Sequence, residues 1–313
     1  MGRLQIEAQR LLSLSIAPNT HKAYGTAWVS YENMCREMGR VALLPVSKIN
    51  IIDFISYLSI QGKSAATISS YISGVSYFHK CQGFDDPADC FVVRKMIEGC
   101  RRDNPTLPDT RKPLTLEMLD AVLVALPRVC NSLYETCMFT AAFLLAFYGF
   151  LRVSEYTAQS KNRLTGKALQ VNDVELVTDR GDKVTRCVRI TIRFSKTDQR
   201  GQATTLLVPQ LNEGSKFCPV DAMSQYLQMR PGGDGQLFWH FNKTPLTRYQ
   251  LGAVLKKALK CQGFNSEGFS SHSLRIGACT HFTMAGVPEE DIMVMGRWSS
   301  NAYQRYIRIP SVE

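Results

Sequence analysis

The stretch DNPTLPDTRKPLT, residues 103–115, carries three prolines and no apolar periodicity between two regions that are patterned for packing. Proline removes a backbone donor and pushes the residue before it out of the helical region, so neither a helix nor a central strand runs through this stretch. The chain is therefore expected to divide into residues 1–102 and 116–313, joined by a linker. The alternative is a long surface loop inside one domain. At 313 residues there is enough chain for two separate cores.

The first part reads as helices. From Pro18 to Met38, Asn19 and Thr20 are cap candidates, and Tyr24, Trp28 and Tyr31 recur at helical spacing. Ile49, Ile52, Phe54, Ile55 and Leu58 do the same between Val46 and Ile60, and Ile68, Tyr71, Ile72, Val75 and Phe78 between Ser64 and Lys80. A last segment from about Pro87 to Cys100 runs into Arg101 and Arg102. Four helices with short connections predict a small bundle.

The second part is mixed. Thr115 begins a helix through Leu126, and residues 134–151 form a strongly apolar helix ending at Gly149. In CVRITIRF, residues 187–194, Val188, Ile190, Ile192 and Phe194 alternate with polar positions that include Arg189 and Arg193. With ATTLLVP at 203–209 this predicts an antiparallel hairpin closed by the wide loop SKTDQRGQ. Helices resume at Pro219. The expected fold is an all-α bundle followed by a mainly α domain with a small antiparallel sheet.

The net charge of +10 is no terminal tail. Residues 1–112 hold 14 Lys+Arg against 10 Asp+Glu, and the remainder 23 against 17, so both parts are basic. That balance suits a polyanionic partner, although a basic solvated surface alone gives the same count. The ten cysteines are scattered without a Cys-x-x-Cys pair, which favours reduced thiols over a disulfide frame or a zinc site. No apolar run is long enough to cross a bilayer and no signal peptide is visible, so a soluble intracellular protein is expected.

Five separated elements carry chemistry. Arg152 and Glu155 in FLRVSE follow the apolar helix, and by themselves read as a structural ion pair as readily as an anion site. Lys196 in the hairpin loop puts an ammonium where it can reach a leaving oxygen; a lone turn lysine is more often only solvated. His272 and Arg275 in SHSLR stand one helical turn apart, offering donors on one face to phosphate oxygens. Trp298 follows Gly296, which stops a short helix opened by Pro288, and its indole N–H is a donor even though such a residue is commonly core. Tyr303 and Tyr306 lie on the terminal helix entered through Ser299 and Ser300, where tyrosines usually pack. Cations and a phenol in place of a carboxylate-held metal point to attack on a phosphodiester through an enzyme–DNA ester.

The order Arg, Lys, His-x-x-Arg, Trp, Tyr resembles the tyrosine recombinases. The segments SHSLRIGA, GRWSS and QRYIR are most similar to eukaryotic mobile-element members, the DIRS-like, Ngaro-like and Crypton-like enzymes. NTHKAYGTAW and SAATISSYISGVSYFH resemble the family's helical core-binding domain, so the resemblance covers nearly the whole chain. It implies that Arg152 and Arg275 clamp the scissile phosphate, with Glu155 accessory to the first arginine. It further implies Lys196 as the acid that protonates the departing 5′-oxygen, His272 and Trp298 as further phosphate ligands, and Tyr306 as nucleophile. Tyr306 lies eight residues after Trp298, one fewer than in many relatives, so Tyr303 stays open as the alternative.

The resemblance implies no metal and no cofactor. Its partner is double-stranded DNA, held as a homotetramer on paired sites, with monomer or dimer off DNA. A mobile-element source implies the nucleus, and any other source the cytoplasm. Lys63, Lys80, Arg101 and Arg102 are candidates for a positive inner face that closes a clamp on DNA, and Lys256, Lys257 and Lys260 for further phosphate contacts; a solvated helix face is the equal alternative for each. Two rival functions remain, a type IB topoisomerase-like relaxing enzyme and a domesticated DNA-binding protein without catalysis.

Overall fold

A computed structural model describes residues 2–105, 109–161, 166–180, 184–195, 202–211, 215 and 217–308. The chain forms two compact units, Met1–Asp109 and Thr110–Glu313.

The first unit is helical: α1 Arg3–Leu14, α2 Pro18–Glu37, α3 Lys48–Ile60, α4 Ala65–Cys81 and α5 Phe91–Asp103. Helix starts follow from local chemistry. Pro18 occupies the first turn of α2, where its missing N–H is no loss. The hydroxyls of Ser47 and Ser64 accept from the Asn50 and Thr67 N–H groups at the starts of α3 and α4. The core joins Tyr31 and Met34 of α2, Phe54, Ile55 and Leu58 of α3, and Ile68, Ile72 and Val75 of α4. Helices α2 and α4 approach closely at Gly74, where a Cβ would lie 2.8 Å from that of Ala27. Helix α1 adds a fifth element to the four expected. It buries none of its own residues: Leu4, Leu11 and Leu12 recur at helical spacing but are exposed.

The second unit contains α6 Leu116–Val129, α7 Leu133–Tyr148, α8 Val153–Tyr156, β1 Val174–Arg180, β2 Val184–Ile192, β3 Thr204–Pro209, α9 Pro219–Met229, α10 Arg248–Cys261, α11 Ser273–Met284, α12 Glu289–Gly296 and a terminal 3-10 turn, Asn301–Tyr306. Helix α7 is apolar on every face because it is central; nearly every residue from Cys137 to Phe147 is buried. The sheet is antiparallel in the order β1-β2-β3, so β2 is paired on both sides, with Val188 opposite Leu176 and Val208. Val188, Ile190 and Ile192 face the core as the alternation predicts, whereas Phe194 lies past the end of β2 and is exposed. Strand β1 widens the expected hairpin to three strands.

Residues 110–114 run along the second unit. The Lys112 N–H donates to the Gly268 carbonyl and the Leu114 N–H to that of Ser273, both at 3.0 Å, and Leu114 is fully buried. This contact requires Gly277 on α11, since a Cβ there would overlap the Leu114 carbonyl. Gly277→Ala should therefore lower stability by about 1–3 kcal/mol through overpacking, measured by urea unfolding. An unchanged midpoint would mean that this segment shifts aside freely. Among the described residues no helix is long and apolar enough to cross a membrane.

Candidate active site

The site is built where four chain segments meet in the second unit. The first follows α7. Gly149 caps the helix, and Phe150 takes a positive φ of 47°, a conformation uncommon for an aromatic residue. The turn delivers Arg152 to the start of α8. There the backbone N–H of Arg152 donates to Glu155 Oε2 at 2.8 Å, and Nη1 donates to Oε1 at 3.1 Å. Glu155 is 2% exposed, so its charge is held away from water and answered by neighbouring cations.

The second segment is α11. His272 stands at its N-cap position, and Arg275, fully buried, lies in the first turn. Arg275 donates through Nη1 to the Phe150 carbonyl and through Nη2 to that of Gly296. Among the described residues its Nε has no hydrogen-bond partner. Burial pushes the guanidinium pKa down to about 9, repulsion from Arg152 and Arg297 adds to the shift, and Glu155 and Tyr306 partly offset it. Arg275 is still charged at neutral pH, in surroundings where additional negative charge would be favourable.

The third segment is the end of α12. Helix α12 ends at Gly296 as expected, and Arg297, just past it, takes the left-handed conformation, with φ 57° and ψ 48°, and reverses the chain. Trp298 then folds back over Gly296, where a Cβ would overlap the indole. The Arg275 Cζ sits 4.3 Å from the Trp298 ring centroid, a cation–π arrangement.

The fourth segment is the 3-10 turn. The Tyr306 ring lies 5.1 Å from the His272 ring and 5.1 Å from the Trp298 ring, with the Arg275 Cζ at 5.5 Å. Thr280 of α11 fastens the end of this turn: its hydroxyl donates to the Tyr306 carbonyl at 3.3 Å and accepts from the Arg308 N–H at 3.0 Å. Tyr303, on the same turn, is only 1% exposed and belongs to the core, while Tyr306 is half-buried at the cationic cluster. The two tyrosines that sequence left in competition therefore differ in burial.

Arg152, Glu155, His272, Arg275, Trp298 and Tyr306 come together in this way. Lys196 lies outside the described residues. Of the other candidate cations, Lys63, Lys80, Arg101 and Arg102 belong to the first unit, and Lys256, Lys257 and Lys260 to α10. Lys80 pairs with Asp86 at 3.0 Å, and Arg101 and Arg102 both pair with Glu98 at 3.3 Å. Lys63 is exposed ahead of α4. On α10, Lys257 Nζ donates to the Val129 carbonyl at 3.1 Å, tying α10 to α6, while Lys256 and Lys260 are exposed. Arg297 is the site residue that sequence reasoning passed over. Its side chain is 7% exposed and its Nη2 donates to Glu155 Oε2 at 2.6 Å. Burial lowers its pKa and Arg152 lowers it further, against the opposing effect of Glu155. The available signal was its place directly after a helix-ending glycine. Among the described residues no group of three or more His, Cys, Asp or Glu side chains is arranged to hold a metal ion.

Residues 113–310, well over half of the chain, match the phage integrase family. The chain belongs to that family, the tyrosine recombinases. An integrase/recombinase xerD homolog of Selenomonas ruminantium is 27% identical over 315 residues, covering 97% of this chain and 86% of the relative. Recombinase cre of Escherichia phage P1 is 25% identical over 277 residues, covering 84% and 76%. A crystal structure of a lambda integrase dimer bound to a COC′ core site shares the fold, with a TM-score of 0.61 at 15% identity over 99% of this chain and 77% of that one. Membership of the tyrosine recombinases supports DNA binding and DNA recombination as the activity of this chain.

Proposed function

We propose that this recombinase cleaves and rejoins duplex DNA through a 3′-phosphotyrosyl intermediate, with Tyr306 as the nucleophile. The observation that carries the reading is the convergence of the half-buried Tyr306 ring on His272, Arg275 and Trp298. In the proposed step the phenolic oxygen bonds to phosphorus and the bond from phosphorus to the 5′-oxygen breaks. The phenol proton passes to a neighbouring base, and Lys196 donates a proton to the departing oxygen. The ester conserves the bond energy, so a 5′-hydroxyl reverses the step by attacking the phosphotyrosine.

A pentacoordinate phosphorus carries extra charge on its non-bridging oxygens. Arg275 suits that charge because burial and like-charge neighbours leave it short of negative partners. Removing one preorganised donor of this kind typically costs about 2.7–4 kcal/mol of transition-state stabilisation. Arg152 is the second clamp, while His272 and Trp298 supply single donors. General acid catalysis by Lys196 contributes roughly 100- to 10,000-fold. Lys63, Lys80, Arg101, Arg102, Lys256 and Lys260 are proposed as phosphate contacts that position the duplex without reading its sequence. Lys257 belongs to the same proposed set, and it would have to leave the Val129 carbonyl to reach a phosphate.

The SHSLRIGA, GRWSS and QRYIR segments support a finer reading, integration or excision of a eukaryotic mobile element in the nucleus. Strand exchange between two duplexes is proposed to require four protomers on paired sites. The test is covalent trapping on nicked duplexes with a randomised core, resolved on a denaturing gel. The expected result is a protein–DNA species resistant to detergent, whose peptide map places the nucleotide on Tyr306. DNA binding with no such species overturns the proposal in favour of a non-catalytic binding protein.

A further inference from the structure

Arg297 occupies a backbone conformation that suits glycine, and nothing in the turn itself asks for a cationic side chain there. What it gains is a set of contacts with the supports of the two other arginines. Its Nη2 donates to Glu155 Oε2 at 2.6 Å and to the Phe150 carbonyl at 3.3 Å, and its Nη1 donates to the Gly149 carbonyl at 3.3 Å. Glu155 is the carboxylate bound to Arg152. The Phe150 carbonyl is the acceptor bound to Arg275. One buried guanidinium therefore touches the anchor of each.

The charge distribution sharpens this. With Arg297 absent, the whole Glu155 carboxylate would be free to pair with Arg152 and neutralise it. With Arg297 present, the carboxylate is divided: Oε1 serves the Arg152 side chain, while Oε2 is shared between the Arg152 backbone and Arg297. Arg152 is then oriented by Glu155 without being fully compensated by it. The Phe150 carbonyl likewise accepts from both Arg275 and Arg297, fixing the height of Arg275 beneath the Trp298 and Tyr306 rings.

We propose that Arg297 is a positioning residue for strand cleavage, dividing Glu155 between two guanidiniums and steadying the Phe150 carbonyl so that Arg152 and Arg275 both stay available to one phosphodiester. The inference rests on the proposed cleavage reaction. Arg297 acts through Glu155 and Phe150 and makes no contact with the phosphate itself.

The test is single-turnover cleavage of a nicked duplex by the full chain, alongside affinity for the same duplex with an intact core. Arg297→Met should lower the cleavage rate by about 10- to 100-fold, as loss of a supporting hydrogen bond behind a charged ligand does. DNA affinity should change by less than about threefold, since the direct phosphate contacts remain. Arg297→Lys should recover part of the rate. Arg297→Gly, which suits the left-handed backbone, should be as slow as Arg297→Met while melting cooperatively, which separates the loss from misfolding. In the Glu155→Gln background the Arg297→Met effect should shrink below about threefold, the mark of two residues acting through one another. Glu155→Asp takes its place if that variant cleaves too slowly to time. An undiminished effect in either background would put Arg297 on the phosphate directly and overturn the inference, as would Arg297→Met cleaving at the wild-type rate. Wild-type protein that forms no adduct would count against the proposed reaction itself; a wild-type adduct with undisturbed Arg297→Met cleavage counts against this inference alone.

Discussion

Tyr306→Phe should abolish the covalent DNA adduct, with a loss of strand cleavage on the order of 10⁶-fold, the scale seen when a catalytic nucleophile is removed. The phenylalanine ring keeps the tilted ring contacts that Tyr306 makes with His272 and Trp298 at 5.1 Å each, so the pocket should retain its shape. Affinity for intact duplex should stay within roughly threefold of wild type, because it rests on phosphate contacts that the hydroxyl does not supply. Tyr303→Phe is the matched control. Its ring is buried in the core, three residues earlier on the same turn, and adduct formation should continue at close to the wild-type rate. The measurement is adduct yield on a denaturing gel beside binding in a native gel. Surviving adduct in Tyr306→Phe, together with its loss in Tyr303→Phe, would move the nucleophile to the buried tyrosine and require the terminal turn to rearrange on DNA.

The residues that became legible in sequence are those whose chemistry is unusual for their local setting. A phenol beside cations, a His-x-x-Arg at a helix start and an Arg just past an apolar helix each had an ordinary explanation, and only their order argued otherwise. Helices α2 to α7 were readable because each presents a core-facing stripe, or in α7 an entirely apolar surface, to its neighbours. Helix α1 and strand β1 were not. The first buries none of its residues, and in the second Leu176 is exposed and Glu175 is stabilised by Arg189 across the strand pair, with Arg189 Nε at 3.0 Å. Helix α1 leans on α4, where the Tyr77 hydroxyl donates to the Leu12 carbonyl from 65 residues away. Strand β1, although it pairs with the strand next to it, buries only Val174 among its described side chains, so no alternation stands out. Arg297 escaped because its contacts are long-range. Its partner Glu155 is 142 residues away, and its backbone conformation is invisible in the letters GRW.

Glu155→Gln should destabilise the second unit by about 3–5 kcal/mol, the usual consequence of removing one member of a buried ion pair. For a unit of this size that lowers the melting temperature by roughly 6–20 °C. Glu155 is 2% exposed and answers Arg152 and Arg297, whose side chains are 14% and 7% exposed, while Arg275 behind them is fully buried. The glutamine oxygen can still accept the Arg152 backbone N–H, but its amide N–H group must then face a guanidinium, and three cations are left with no carboxylate among the described residues of the cluster. Tetrahedral oxyanions provide the diagnostic arm. Sulfate or phosphate should raise the melting temperature of Glu155→Gln by more than that of wild type, and sodium chloride at equal ionic strength should raise both alike, because only a multivalent anion with several acceptors can bridge converging guanidiniums. A Glu155→Gln protein within 1 kcal/mol of wild type would show that solvent reaches the cluster well enough to screen it. In that case the lowered Arg275 and Arg297 pKa values would no longer argue for a preorganised anion site.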